Sequence, residues 1–190
     1  MKAMTYIKPL TIGSLTFDTN IIQGPLAGYS CAPFRELVWQ FGGVAYCCTE
    51  MQSSHSIACQ INQPKRYRYR GASEQKLCVQ LSGNNRDKLS RAADRVMDWG
   101  VDLVDLNCGC PQPKIRQKSS GSSLLSKPDL LYTLIAGIKA VLDIPFTVKI
   151  RVDGESGDNY NSEVVSAIAA AGADALIIHG RHWTERYDVP

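Results

Sequence analysis

No run of 18 apolar residues occurs in this chain, whereas a membrane-spanning helix needs about 20. The opening stretch MKAMTYIKPLTIGSL has no continuous apolar core and lacks the form of a signal peptide. There is no Cys-x-x-Cys pair, which removes a common zinc-ligand spacing. The seven cysteines (Cys31, Cys47, Cys48, Cys59, Cys78, Cys108 and Cys110) are odd in number and irregular in spacing. They do not read as a disulfide framework. Nor is charge of one sign in large excess: the formal net charge is +3, too small by itself to point to nucleic acid. These absences predict a cytoplasmic protein with reduced thiols, no metal and no membrane contact. The 190 residues, 44% of them hydrophobic and 21% charged, suffice for one substantial core.

What is present is an alternation of short apolar runs with longer helical patterns. The runs lie at 20–26, 43–48, 77–81, 102–106, 146–150 and 175–178, and are rich in Val, Ile and Leu. Strands apolar on both faces belong to buried parallel sheets. Between them, 86–99 places Leu89, Ala92, Ala93 and Val96 on one helical face and stops at Gly100. Residues 127–142 do the same with Leu131, Leu134, Ile135, Ile138 and Leu142, with Ser126 as N-cap and Pro128 in the first turn. Residues 162–171 carry Val164, Val165, Ile168 and Ala169 and stop at Gly172.

GVDLVDLN at 100–107 is echoed by GADALIIH at 172–179: a helix stop, an acidic turn, an apolar strand and a polar end. Repeated β/α units of this size predict an α/β fold of the (β/α)8 TIM-barrel type, which usually needs about 250 residues. No G-x-G-x-x-G follows the first strand, which disfavours an open dinucleotide-binding sheet. Six strands fall short of eight, so residues 1–190 read as an incomplete barrel of about six β/α units, ending in a loop at 182–190. Two unpaired sheet edges are then expected, and with them self-association. Residues 4–19 read as a short hairpin over the N-terminal mouth.

Active sites of such barrels sit at the C-terminal strand ends. The third to sixth strands end in Gln80, Asn107, Lys149 and His179. Loop chemistry favours Gly, Asn, Asp and Ser over Gln, Lys and His, so turn polarity alone is a poor account of all four. Amides can read the donor and acceptor edge of a ring, and a lysine can stabilise the anion formed on two-electron reduction. That combination describes a flavin. Cys110, between Gly109 and Pro111, lies on a tight loop beside Asn107. It can act as nucleophile, base or acid. The other cysteines read as packing residues, Cys108 least clearly. Gly121-Ser122-Ser123 opens the next helix and could approach a ligand closely.

GPLAGYSCAPFR (24–35), TEM (49–51), VQLSG (79–83), DLNCGCPQPKI (105–115), GSSLL (121–125), TVKIR (147–151) and IIHGR (177–181) occur in this order. In combination they resemble the tRNA-dihydrouridine synthases. The resemblance implies an FMN-dependent barrel followed by a helical RNA-binding domain. It implies FMN contacts from Gln80, Asn107, Lys149 and His179, with Pro25, Leu26 and Ala27 beneath the ring. It implies NADPH as reductant, Cys110 as general acid, tRNA as partner, and Lys114, Arg151 and Arg181 as basic positions near the substrate. Leu26 stands where the family often has Met.

Two basic stretches fit an RNA partner. PKRYRYR at 64–70 interleaves Lys65, Arg66, Arg68 and Arg70 with two tyrosines, and KIRQK at 114–118 adjoins Cys110. Two other functions fit much of the same sequence: a flavin barrel that reduces a free pyrimidine, and a non-catalytic RNA-binding or assembly fragment.

Overall fold

The structure, a computed structural model, describes residues 6–60, 69–152 and 160–185. The chain enters through a hairpin, β1 (Leu10–Ile12) and β2 (Leu15–Phe17), paired antiparallel. Gly13 opens its two-residue turn at φ +54, the left-handed region that the first position of such a turn demands. Then come β3 (Ile22–Gln23), α1 (Ala32–Phe41), β4 (Tyr46–Cys48), β5 (Gln52–Ser53) and α2 (Ser54–Ala58). They are followed by β6 (Leu77–Ser82), α3 (Arg86–Met97), β7 (Leu103–Cys108) and α4 (Pro113–Arg116). A 3-10 turn (Gly121–Ser126) leads into α5 (Pro128–Lys139), β8 (Phe146–Arg151), α6 (Tyr160–Ala170) and β9 (Ala175–His179).

The strands β3-β4-β6-β7-β8-β9 form one parallel sheet in that order, with β5 paired to the far end of β6. This is a curled half-barrel of six successive strands, an incomplete TIM barrel. All six runs read as strands form, and the three helical patterns form within a few residues of their expected limits.

Side chains alternate across each strand, and the alternation decides where the core lies. Val79, Leu81, Val104, Leu106, Val148 and Ile150 face outward and pack under the helices. Leu89, Ala92, Ala93 and Val96 of α3 and Leu131, Leu134, Ile135 and Ile138 of α5 meet them, all 0% exposed. The inward positions are different in kind: Cys78, Gln80 and Ser82 on β6, Leu103, Asp105 and Asn107 on β7, Thr147, Lys149 and Arg151 on β8. Along each strand, polarity on the inner face rises toward the C-terminal end.

At the opposite end the hairpin plugs the barrel. Ile12 and Phe17 pack against Tyr46, Cys78 and Leu103, and the Phe17 and Tyr46 rings lie 5.6 Å apart. Helix α5 corrects one detail. Ser126 is not its N-cap: the serine closes the 3-10 turn, its hydroxyl donating to Ser123 O, and Lys127 holds the cap position without a side-chain bond. Among the described residues no helix is long and apolar enough to cross a membrane.

Phe17→Ala empties the plug without touching the other mouth. It is expected to cost about 3 kcal/mol, read from the urea midpoint at unchanged slope. A change below about 0.5 kcal/mol would mean that the hairpin does not seal the core.

Candidate active-site cleft

The polar strand ends rest on a buried carboxylate that lies inside an apolar run of the sequence. Asp105 sits on the inner face of β7, two positions before Asn107, and is 1% exposed. A lone carboxylate there needs donors around it. Thr147 Oγ1 donates to its Oδ1 at 2.6 Å and Gln80 Nε2 to its Oδ2 at 2.7 Å. Both donors come from strands paired to β7, where Gln80 and Thr147 are the register partners of Asp105.

From there the hydrogen bonds run outward in a fixed direction. An ionised carboxylate only accepts, so the Gln80 amide must turn its nitrogen inward and its oxygen toward the mouth. Asn107 Nδ2 donates to that oxygen at 2.9 Å. This leaves Asn107 Oδ1 to accept from the backbone N–H of Cys110 at 3.0 Å and of Gly109 at 3.4 Å. The loop carrying Cys110 is thus tied through two amides to a buried charge.

Burial pushes the Asp105 carboxyl up to about 6. The bonds from Thr147 and Gln80 and the nearby Lys149 ammonium hold it from rising further. At neutral pH Asp105 is ionised and the direction of the chain is set. Burial lowers the Lys149 pKa, with Asp105 opposing. Burial also lowers that of His179, helped by the positive charges of Arg151, Lys149 and Arg181, so its imidazole is neutral at pH 7.

Pro25, Leu26, Ala27, Gln80, Asn107, Cys110, Lys149 and His179 all line one cleft of about 410 Å³, together with Arg151 and Met51. Its size is that of a small-molecule site. The turn at 25–30 is held from below: the buried Arg35 donates to Ser30 O at 2.8 Å and pairs with Glu74. Cys110 is the one cysteine on the cleft wall. Cys108 is fully buried, and burial then the Asp105 charge hold its thiol protonated.

The basic residues divide. Arg151 lies on the cleft wall, but its guanidinium also donates to His182 O at 2.9 Å and ties down the loop after β9. Lys114 is exposed on α4, and Arg181 is half-buried after β9; neither lines the cleft. Arg116 stacks over Trp183, 3.6 Å from the ring centroid, and donates to Ser122 Oγ. Arg66 and Arg68 lie outside the described residues. Arg70, from the same basic stretch, is committed elsewhere: it pairs with Asp102 and donates to carbonyls of Glu74, Gln75 and Gly100, at the N-terminal end of β7.

Gly121 has a different task from the ligand approach expected of it. At φ +64 it backs onto Cys110, where a Cβ would stand 2.7 Å from Cys110 O and 3.1 Å from Cys110 Cβ. Ser122 N–H donates to Cys110 O at 3.0 Å. The Cys110 peptide is therefore held from both sides, by Asn107 and by the 3-10 turn. Among the described residues no group of three or more His, Cys, Asp or Glu is placed to hold a metal ion.

A parallel half-barrel with its polar cleft at the C-terminal strand ends defines the β/α-barrel class. Comparison narrows it. The family model "Dihydrouridine synthase (Dus)" matches residues 22–190. The chain is 34% identical over 183 residues to "Probable tRNA-dihydrouridine synthase 1" of Synechocystis sp., covering 96% of this chain and 51% of that protein. It is 33% identical over 177 residues to "tRNA-dihydrouridine synthase B" of Pasteurella multocida, covering 90% and 52%. With "Probable tRNA-dihydrouridine synthase" of Treponema pallidum the identity is 32% over 188 residues, covering 94% and 54%. This chain belongs to the dihydrouridine synthase family. It spans about half the length of these relatives.

Asp105 makes the fold pH-dependent in a definite sense. Its folded pKa is raised from 3.8 to about 6, so the folded form holds its proton more tightly than the unfolded one. Stability is undiminished below about pH 4, falls as pH rises toward 6, and levels off above. The difference amounts to about 3 kcal/mol. Asp105→Asn can still accept from Gln80 while donating to the Thr147 hydroxyl. Urea titrations of both proteins should show the variant gaining on the parent by about that amount between pH 4 and 7. A constant difference would refute the buried charge.

Gly121→Ala meets both the positive φ and the Cys110 carbonyl. It should lower stability by at least about 1 kcal/mol and increase hydrogen exchange at the Ser122 amide. An unchanged amide would show that the turn does not brace Cys110.

Proposed function

We propose that this chain binds FMN and, with NADPH as reductant, takes part in reducing uridine in tRNA to 5,6-dihydrouridine, with Cys110 as general acid. The observation that carries the proposal is the gathering of the Gln80, Asn107, Lys149 and His179 side chains and Cys110 on one cleft. The donor set fits a flavin. Gln80 gives one N–H to Asp105 and Asn107 gives one to Gln80, so each amide keeps one N–H to give. Lys149 adds an ammonium and His179 a neutral imidazole. Such a wall suits a ring rich in carbonyl and imine acceptors, and Pro25, Leu26 and Ala27 supply an apolar side beneath it.

When bound, FMN supplies the hydride that adds to C6 of the uracil ring. The C5=C6 double bond is consumed, and its electron pair is left at C5, conjugated to the C4 carbonyl. Cys110 gives its thiol proton to C5, and the thiolate regains one from solvent. Lys149 would help hold the cofactor ring and offset negative charge there. Asn107 keeps the Cys110 loop against the same cleft, so proton donor and cofactor face one substrate. A uracil in folded RNA must first leave its stack, at a cost of a few kcal/mol. Lys114, Arg151, Arg181, Arg66 and Arg68 are the proposed tRNA contacts; among the described ones, Arg151 stands nearest the reaction.

The test is to supply this chain with FMN, NADPH and an unmodified tRNA transcript. Flavin should co-elute with the protein, and digested tRNA should contain uridine heavier by two hydrogens. Cys110→Ala should lower dihydrouridine formation by about 100-fold or more and leave flavin reduction by NADPH unchanged. Unchanged tRNA turnover would remove Cys110 as the acid, and turnover of free uracil alone would remove RNA as the substrate.

A further inference from the structure

A second cavity, of about 340 Å³, lies beside the cleft with Met51 as the shared wall. It opens where β5 adds to the end of β6, at the start of α3. Its lining is rich in donors: Ser54, Ser82, Asn84, Lys88, Lys118 and His55 all face it, and no carboxylate does. Ser54 and Ser82 are 2% and 8% exposed. Among the described residues neither hydroxyl makes a hydrogen bond, and both line the cavity. Gly83 permits the arrangement, since a Cβ there would collide with Ser54 Oγ.

The 12-residue helix α3 adds to the same polarity. Asn85 caps it, its Oδ1 accepting from Lys88 N–H at 3.0 Å, and the positive end of the helix lies at the cavity. Asp87 in the first turn offsets part of that field without lining the cavity. Two ammonium groups, two cavity-lining hydroxyls and a helix N-terminus suit an anion with several acceptor oxygens.

We propose that this cavity binds a phosphodiester group of the RNA strand, next to the nucleotide that enters the cleft. The inference rests on the function proposed above and adds a place for the backbone. Two features favour an RNA phosphate over a free anion. The cavity shares Met51 with the cleft, and Lys118, Ser120 and Ile115 in its wall belong to the segment that follows Cys110. A strand with one base in the cleft that leaves it past Met51 runs along this segment.

The experiment measures binding of an unmodified tRNA transcript by fluorescence anisotropy over a range of salt. It compares the parent chain, the Lys88→Ala/Lys118→Ala double variant and Ser54→Ala. Far-ultraviolet circular dichroism establishes that each is folded. The double variant should bind several-fold more weakly, with the slope of log Kobs against log salt reduced by about 1. Ser54→Ala, which removes no charge, should weaken binding at an unchanged slope. Millimolar inorganic phosphate should compete less against the double variant than against the parent. Equal affinity and slope in parent and double variant, with RNA still bound, would overturn the site and leave the proposed function standing. Failure of the parent to bind RNA while phosphate still protects it from thermal unfolding would overturn the RNA assignment and with it the reading it rests on.

Discussion

The cleft depends on one buried carboxylate. Asp105 is placed by β7 on the inner face of the sheet, 1% exposed, and its charge must be met there. Meeting it determines which way the Gln80 amide faces, which determines the Asn107 amide, which determines what holds the Cys110 peptide. An amide at Gln80 or Asn107 alone could flip at little cost. Coupled in series to an acceptor that cannot donate, neither can flip without leaving two donors or two acceptors face to face. The interaction has a cost in desolvation, visible in the raised Asp105 pKa. What it gives is a cleft wall whose amides are held in one arrangement.

Much of the fold was legible because parallel strands buried on both faces leave a strong mark. The six runs rich in Val, Ile and Leu could not be mistaken for surface, and α3 and α5 carry their apolar stripes at helical spacing. The short elements were not individually legible. Helix α2 has 5 residues and strand β5 has 2, too few for a period to be seen. Ser126 was misjudged because Leu124 and Leu125, fully or nearly buried, are covered by a 3-10 turn that uses the serine before α5 begins.

The candidate site was legible at the strand ends and not beneath them. Gln80, Asn107, Lys149 and His179 stand out as polar residues that close apolar runs. Asp105 lies inside such a run, and the signal was there: it shares a face with Asn107 by the two-residue period of a strand. For the basic stretches, composition does not say which cations are already paired. Arg70 is committed to Asp102 and three carbonyls, and Arg116 to Trp183 and Ser122.

The most direct test follows the links themselves. In isotopically labelled protein, the side-chain amides of Gln80 and Asn107 and the backbone amide of Cys110 can be followed by NMR as pH is raised through the Asp105 titration. All three should move together with a single midpoint near pH 6, and all three should be flat in Asp105→Asn. A Cys110 amide that does not respond while Gln80 does would show that the buried carboxylate does not govern the loop.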